Sequence, residues 1–267
     1  MSLIVDDAVL TFPDGAGRIT AVGDRVRNFA PGDLVIVPFQ ISCGTCDRCR
    51  RGHTNACTAV PFRSSYGLKP VCGVEYGGGL SDLIRVPFAD HMLVRQPEGH
   101  ALSQTAGLAD GATDGFSAVA RLLRQWPGAA VLVIGGFAQS LAMFAVQAAL
   151  ACGAGRVVYL DDHSPRLAKA KALGADIVEA PAGLVMEPPG LFPIVIDAAA
   201  TDASILLAFR ATEPNGLCQR MYGDFAATTP VPLRHMYGVG ITLRVSRVNV
   251  RAELPDCVAH VTAGHYH

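Results

Sequence analysis

Four cysteines, Cys43, Cys46, Cys49 and Cys57, fall within the segment CGTCDRCRRGHTNAC at the spacing C-x2-C-x2-C-x7-C. Thiolates are soft ligands, and four of them at about 2.3 Å complete a tetrahedral zinc shell with no position open to substrate. Gly44 and Gly52 supply the turns that let the sulfurs converge. The chemistry this predicts is structural: a closed zinc site orders a loop and takes no part in turnover. Disulfides are the other use of such residues. However, 8 Cys in 267 residues is far from a disulfide-dense scaffold, and no signal-peptide pattern opens the chain. His53 lies inside the segment and is a spare ligand type, but four thiols already fill the shell. Cys72, Cys152, Cys218 and Cys257 are scattered and read as small core residues.

A second constellation runs from residue 131 to residue 162. VLVIGG reads as a strand entering a glycine turn, residues 138–151 as an apolar helix, and RVVYLDD as a second strand ending in acids. In a dinucleotide-binding unit the first glycine makes the turn, the second admits the pyrophosphate and the third lets helix and strand pack. An acid at the end of the second strand then binds ribose hydroxyls. Gly135 fits the first role and Asp161 the last, with Asp162 beside it. Phe137 and Ser140 stand where the other glycines belong, and Gly136 partly compensates. The helix that opens near Ala138 still offers N–H groups to a phosphate. The expected cofactor is NAD rather than NADP, because Asp161 and Asp162 repel a 2′-phosphate and no basic residue follows before Arg166. Glycine-rich strand–helix turns also occur without any ligand, so the motif alone leaves both readings open.

The elements that must position these groups differ between the two ends of the chain. Before about residue 100, short apolar runs such as 34–37 and 83–86 are broken by Gly and Pro, the pattern of a β unit with tight turns. From about residue 103, Ala- and Leu-rich helical segments alternate with near-continuous β-branched runs at 131–134, 157–160, 194–196 and 241–245. Unbroken apolar strands between helices indicate a parallel sheet covered on both faces. The predicted division is residues 1–105 and 106–267. With 50% hydrophobic residues, 17% charged residues and a net charge of −1, the chain is too neutral for a general nucleic-acid or membrane-surface binder. No apolar run reaches the length of about 18 residues that a membrane span needs. A cytoplasmic location is the expectation.

Together these features resemble the zinc-dependent medium-chain alcohol dehydrogenases. The residues that carry the resemblance are Val22-Gly23, Pro31-Gly32-Asp33, the four-cysteine lobe, Gly78-Gly79 with Ser81 and Leu83, Pro127-Gly128, the Gly135 turn, Asp161, and Leu173-Gly174-Ala175-Asp176. The resemblance implies an α/β protein: a GroES-like β domain carrying a structural-zinc lobe, and a Rossmann-like parallel sheet domain that binds NAD. It also implies hydride transfer between NAD and a small-molecule alcohol or carbonyl substrate, at a second, catalytic zinc. Of the family's ligands for that zinc, Asp110 in Leu108-Ala109-Asp110 is the one matched here, and Asp114 falls where the family has a threonine near the nicotinamide.

The remaining catalytic-zinc ligands of the family have no counterpart. No cysteine precedes Cys43 and no histidine precedes His53; residues 12–16 take the place of the family's Gly-His-Glu. The chain thus resembles the family with its first part missing or replaced, and its end reads as lacking the segment that returns to the β domain. His91, His100 and His235 are the histidines that recruitment to a metal would have to use. A non-catalytic nucleotide-binding remnant is the first rival reading, favoured by the missing ligands. Zinc-independent reduction of an activated double bond is disfavoured by the lobe, and a zinc-ribbon nucleic-acid binder by charge and by the α/β half. A homo-oligomer is compatible with the sequence, which does not fix the number of subunits.

Overall fold

The Val-Leu-Val-Ile run at 131–134 forms the core of a strand whose residues are fully buried on both faces, as expected for an inner strand of a parallel sheet. In the computed structural model, which describes residues 8–13, 15–67, 76–221 and 228–264, this strand belongs to the second of two compact units. Unit 1 comprises Met1–Thr113 and Val248–Gly264, and unit 2 comprises Asp114–Arg247 with His265–His267. Cys72 lies outside the described residues. Among the described residues, no helix is long and apolar enough to cross a membrane.

Unit 1 is built on a five-stranded antiparallel sheet in the order β4-β1-β2-β3-β5. Its strands are β1 (Ala8–Pro13), β2 (Ala16–Val22), β3 (Leu34–Ile36), β4 (Leu80–Val86) and β5 (Val94–Arg95). Short helices α1 (Asp47–Arg50), α2 (Ala89–Met92) and α3 (Leu102–Thr105) join them. Ile19, Val35, Val37, Ile41, Ile84, Val86 and Met92 close its core. The turn into β2 needs a glycine: Gly15 has φ +88°, and a Cβ there would lie 2.7 Å from the Ala106 carbonyl oxygen.

Unit 2 holds a six-stranded parallel sheet in the order β11-β10-β9-β6-β7-β8. The strands are β6 (Ala130–Ile134), β7 (Arg156–Asp161), β8 (Asp176–Glu179), β9 (Phe192–Asp197), β10 (Thr212–Arg220) and β11 (Thr242–Val245). Helices α4 (Gly111–Gln125), α5 (Gln139–Ala151), α6 (Ser164–Leu173), α7 (Asp202–Ala211) and α8 (Leu233–Val239) connect or flank them. The strand order reverses between β6 and β9, so the crevice at their C-terminal ends is the topological switch point, where open α/β sheets bind ligands.

The final helix, α9 (Val250–Thr262), corrects one expectation. The sequence reading grouped it with the α/β half and found no segment returning to the β part, yet Val248–Gly264 belongs to unit 1. Val250 donates its N–H to Gln40 Oε1 at 3.3 Å, Asn249 Oδ1 accepts from the Asn55 N–H at 3.1 Å, and Arg251 Nε donates to the His91 carbonyl. Val250, Leu254 and Cys257 form its buried stripe.

Candidate functional site

The four thiols converge. The sulfurs of Cys43, Cys46, Cys49 and Cys57 all lie within 4.8 Å of one another, and those of Cys46 and Cys57 are 4.0 Å apart. Tetrahedral bonds of about 2.3 Å put sulfurs about 3.8 Å apart, so closing on an ion requires shifts of about 1 Å at most. Backbone N–H groups already point at the sulfurs: Thr45 and Cys46 donate to Cys43 Sγ at 3.4 Å each, and Cys43 donates to Cys57 Sγ at 3.4 Å. The four thiols are held unequally. Amide donors from Thr58 and Cys49 draw the Cys46 thiol down to about 5, while burial pushes Cys49 up to about 12. A dication removes this conflict because it binds all four as thiolates. The donor set therefore fits a closed structural zinc.

α1 and the turn that follows it bring the ligands together. Gly44 has φ +76° and stands against the His91 ring, while Cys49 sits on the buried face of α1. His53 is exposed and stands outside the sulfur group. Among the described residues, the four thiols are the only group of three or more His, Cys, Asp or Glu side chains placed to hold a metal. His91 is hydrogen-bonded to Ser42 Oγ at 2.9 Å, His100 to the Glu98 carbonyl at 3.0 Å and His235 to the Phe209 carbonyl at 3.4 Å. Asp110 is exposed at the end of a single 3-10 turn (Ala106–Ala109), and Asp114 is half-buried in the first turn of α4.

In unit 2, a cavity of about 280 Å³ opens at the C-terminal ends of the strands, lined by Gly135, Gly136, Phe137, Asp162, Ala199 and Thr201 among others. Both glycines are sterically required. A Cβ on Gly136 would fall 2.7 Å from Ala199 Cα, and one on Gly135 would collide with the Tyr159 hydroxyl and Asp161 Oδ2. Phe137 remains 59% exposed, so it borders the cavity rather than filling it. Helix α5 is preceded by Ala138, which makes no side-chain cap, and the N–H of Gln139 bonds the Phe137 carbonyl at 3.0 Å. The N–H of Ala138 itself is committed to the Ala198 carbonyl at 3.0 Å.

Asp161 differs from expectation. Its side chain is fully buried, and both oxygens are engaged by Arg166, Tyr159 and the His163 N–H. Burial works to raise its pKa, yet the hydrogen bonds and charge of Arg166, with the Tyr159 hydroxyl, hold it below the ordinary value. Sequence reasoning missed three further features here: Tyr159, Arg166 and the buried pair of Asp197 and Arg220. Tyr159 was detectable, since residues two apart on a strand share a face. Asp197 ends β9, accepts from the Ala199 N–H at 3.1 Å and is ion-paired with Arg220 at the end of β10. Burial pushes its pKa up.

Residues 9–98 match the alcohol dehydrogenase GroES-like domain. Over 254 residues the chain is 31% identical to a probable zinc-binding alcohol dehydrogenase of Mycobacterium tuberculosis, an overlap of 94% of this chain and 64% of that one. The structure superposes on an alcohol dehydrogenase from Thermus with a TM-score of 0.88 at 24% identity, covering 100% of this chain and 84% of that one. The chain belongs to the zinc-dependent medium-chain dehydrogenase/reductase family. Another similar protein, an S-(hydroxymethyl)glutathione dehydrogenase of Haemophilus influenzae, is 32% identical over 173 residues, 61% of this chain and 45% of its own length. The chain thus spans less than two thirds of these two dehydrogenases. In medium-chain dehydrogenase terms, unit 1 carries the GroES-like domain with its four-thiol lobe, and unit 2 is the parallel-sheet domain.

Proposed function

We propose that this chain is an NAD-binding oxidoreductase of the alcohol and carbonyl class, with a lobe held by structural zinc. The cavity at the C-terminal ends of β6, β7 and β9 carries the reading, because it lies at the switch point of the sheet and is floored by close-packed glycines. The chemistry NAD would supply when bound is hydride transfer, between the carbinol carbon of an alcohol or the matching carbonyl and the nicotinamide. The chain would hold the pyrophosphate against the Gly135-Gly136 turn and the start of α5, and the adenosine ribose beside Asp162, just beyond the end of β7. Asp110 and Asp114 are the proposed catalytic-side residues: Asp110 is carried by its match to a ligand position of the family, and Asp114 by standing where the family has a threonine near the nicotinamide. The functional division proposed is residues 1–105 with the returning segment 248–264 for the β domain, and residues 106–247 for the nucleotide domain, with a small alcohol or carbonyl compound as substrate.

A second reading is favoured by one observation: among the described residues, no metal-holding group other than the four thiols is present. Metal polarisation of the substrate oxygen contributes several kcal/mol to such reactions, and a chain that forgoes it would bind the nucleotide with little alcohol oxidation. Titration with NAD, together with an assay on primary and secondary alcohols, separates the two. Binding with turnover in the ordinary range of roughly 1–10³ per second supports the oxidoreductase. Binding without turnover supports the second reading, and no binding of NAD or NADP overturns both.

A further inference from the structure

The loop between β9 and α7 is Ala198-Ala199-Ala200-Thr201, three alanines and a threonine whose side chains offer little to fix a backbone. Every one of these residues is nevertheless constrained. Ala198 donates its N–H to the Ile134 carbonyl at 3.0 Å, and its own carbonyl accepts from the Ala138 N–H at 3.0 Å. Ala199 donates to Asp197 Oδ1 at 3.1 Å and packs directly over Gly136. Ala200 has φ +58°, in the left-handed region that a Cβ makes unfavourable. Thr201 Oγ1 accepts from the Ser204 N–H at 3.0 Å, and its carbonyl accepts from Arg220 Nη1 at 3.4 Å.

Two of these ties end on one buried ion pair. Asp197 is fully buried and Arg220 nearly so. Arg220 Nη1 donates to Asp197 Oδ2, which leaves Oδ1 for the Ala199 N–H. The carboxylate thus holds the loop at its second residue and the arginine at its fourth, on either side of Ala200. A buried ion pair is a weak source of stability, because desolvation offsets most of the attraction. What this pair supplies is directed hydrogen bonding to a loop that has almost none of its own. Ala199 and Thr201 line the cavity, whereas Asp197 and Arg220 stand behind it.

We infer that Asp197 and Arg220 are positioning residues of the nucleotide site, holding Ala200 in its left-handed conformation and so fixing the wall that Ala199 and Thr201 present to a bound dinucleotide. This rests on the reading of the cavity as a dinucleotide site. The pair acts through the backbone at 199 and 201 and touches no ligand itself. Its effect is preorganisation. A loop free to leave the strained conformation presents the wall only part of the time, and the apparent dissociation constant rises by the inverse of that fraction.

The test removes both charges together, as Asp197→Leu with Arg220→Met. Apolar residues in place of a buried ion pair are often neutral for stability, yet they neither donate nor accept. Calorimetric titration of the full chain with NAD is read beside thermal melting. The expected result is a melting temperature within a few degrees of wild type and an NAD affinity about tenfold lower, the wall then standing in about one molecule in ten. A folded double variant that binds NAD within about twofold of wild type overturns the inference and leaves the dinucleotide site standing. Should the double variant fail to fold, hydrogen exchange of the nucleotide-free wild type decides. Protection of the Ala199 amide to the degree of the β9 amides supports the inference, and exchange at the rate of an open loop overturns it. A wild type that binds neither NAD nor NADP removes the site, and the inference with it.

Discussion

The four sulfurs of the lobe all lie within 4.8 Å of one another, so removing one changes the whole set. Cys46→Ser leaves three thiolates and a hydroxyl that ligates zinc poorly. The expected outcome is loss of about one zinc per chain by elemental analysis and a lower unfolding temperature, with NAD affinity unchanged. Retention of stoichiometric zinc would show that the lobe closes in some other way. Asp161 gives a pH prediction. Its folded-state pKa lies below the ordinary carboxylate value, so across that interval the unfolded chain binds the proton and the folded chain does not. The stability it contributes is fully present above about pH 4 and is lost as the pH falls through its folded pKa. Urea unfolding of wild type and Asp161→Asn should therefore diverge above about pH 4 and draw together as the pH falls through the lowered folded-state pKa. Acid release of zinc affects both proteins and cancels in the comparison. A gap that persists at the lowest pH would assign the residue's contribution to packing instead of charge.

Among the elements, α4 crosses α5 at a glycine. A Cβ on Gly115 would lie 2.5 Å from Phe144 Cβ and 2.8 Å from the Ala145 nitrogen, backbone that cannot yield as a flexible side chain would. Alanine gains about 1 kcal/mol in helix propensity, but overpacking costs about 1–3 kcal/mol. Gly115→Ala should thus be destabilising by up to about 2 kcal/mol in denaturant titration, and a clearly stabilised variant would mean the helices separate freely. The elements most readable in the sequence were those whose periodicity matched their burial. β6, β7 and β9 appeared as unbroken apolar runs, and the helix after the glycine turn was placed within one residue of its observed start at Gln139. β10 was not readable. Its Thr-Glu-Pro-Asn-Gly opening has the composition of a turn, with Asn215 at φ +63°, and only Leu217 to Arg220 pair continuously with β9. α9 was hidden by a different cause: its three buried residues are spaced for a helix, but nothing local says which unit they face. At the site, the cysteines declared themselves by spacing alone. The inward turn of Asp161 depends on Arg166 and Tyr159, a tertiary arrangement that no motif records.

For the molecule as a whole, metal and nucleotide are expected to act on separate units. A strong chelator should remove about one zinc per chain and lower the thermal stability, since a structural thiolate site couples its binding energy to folding. NAD should raise the melting temperature in both the zinc-loaded and the zinc-stripped protein. Two zinc ions per chain would point to a second ligand set in residues beyond those described, and would favour turnover over the nucleotide-binding reading.

Because unit 1 is closed by Val248–Gly264, it brackets unit 2 in the chain. Domains emerging from the ribosome generally fold in the order of their synthesis, at roughly 5–20 residues per second. Here that order is inverted. All of the strands from β6 to β11 have been made before the helix that supplies Val250, Leu254 and Cys257 to unit 1 appears. The parallel sheet can therefore mature while the antiparallel one still waits for its last piece. Over that interval, a zinc captured by four closely spaced cysteines would be a staple on the nascent N-terminal half that needs nothing from the far end of the message.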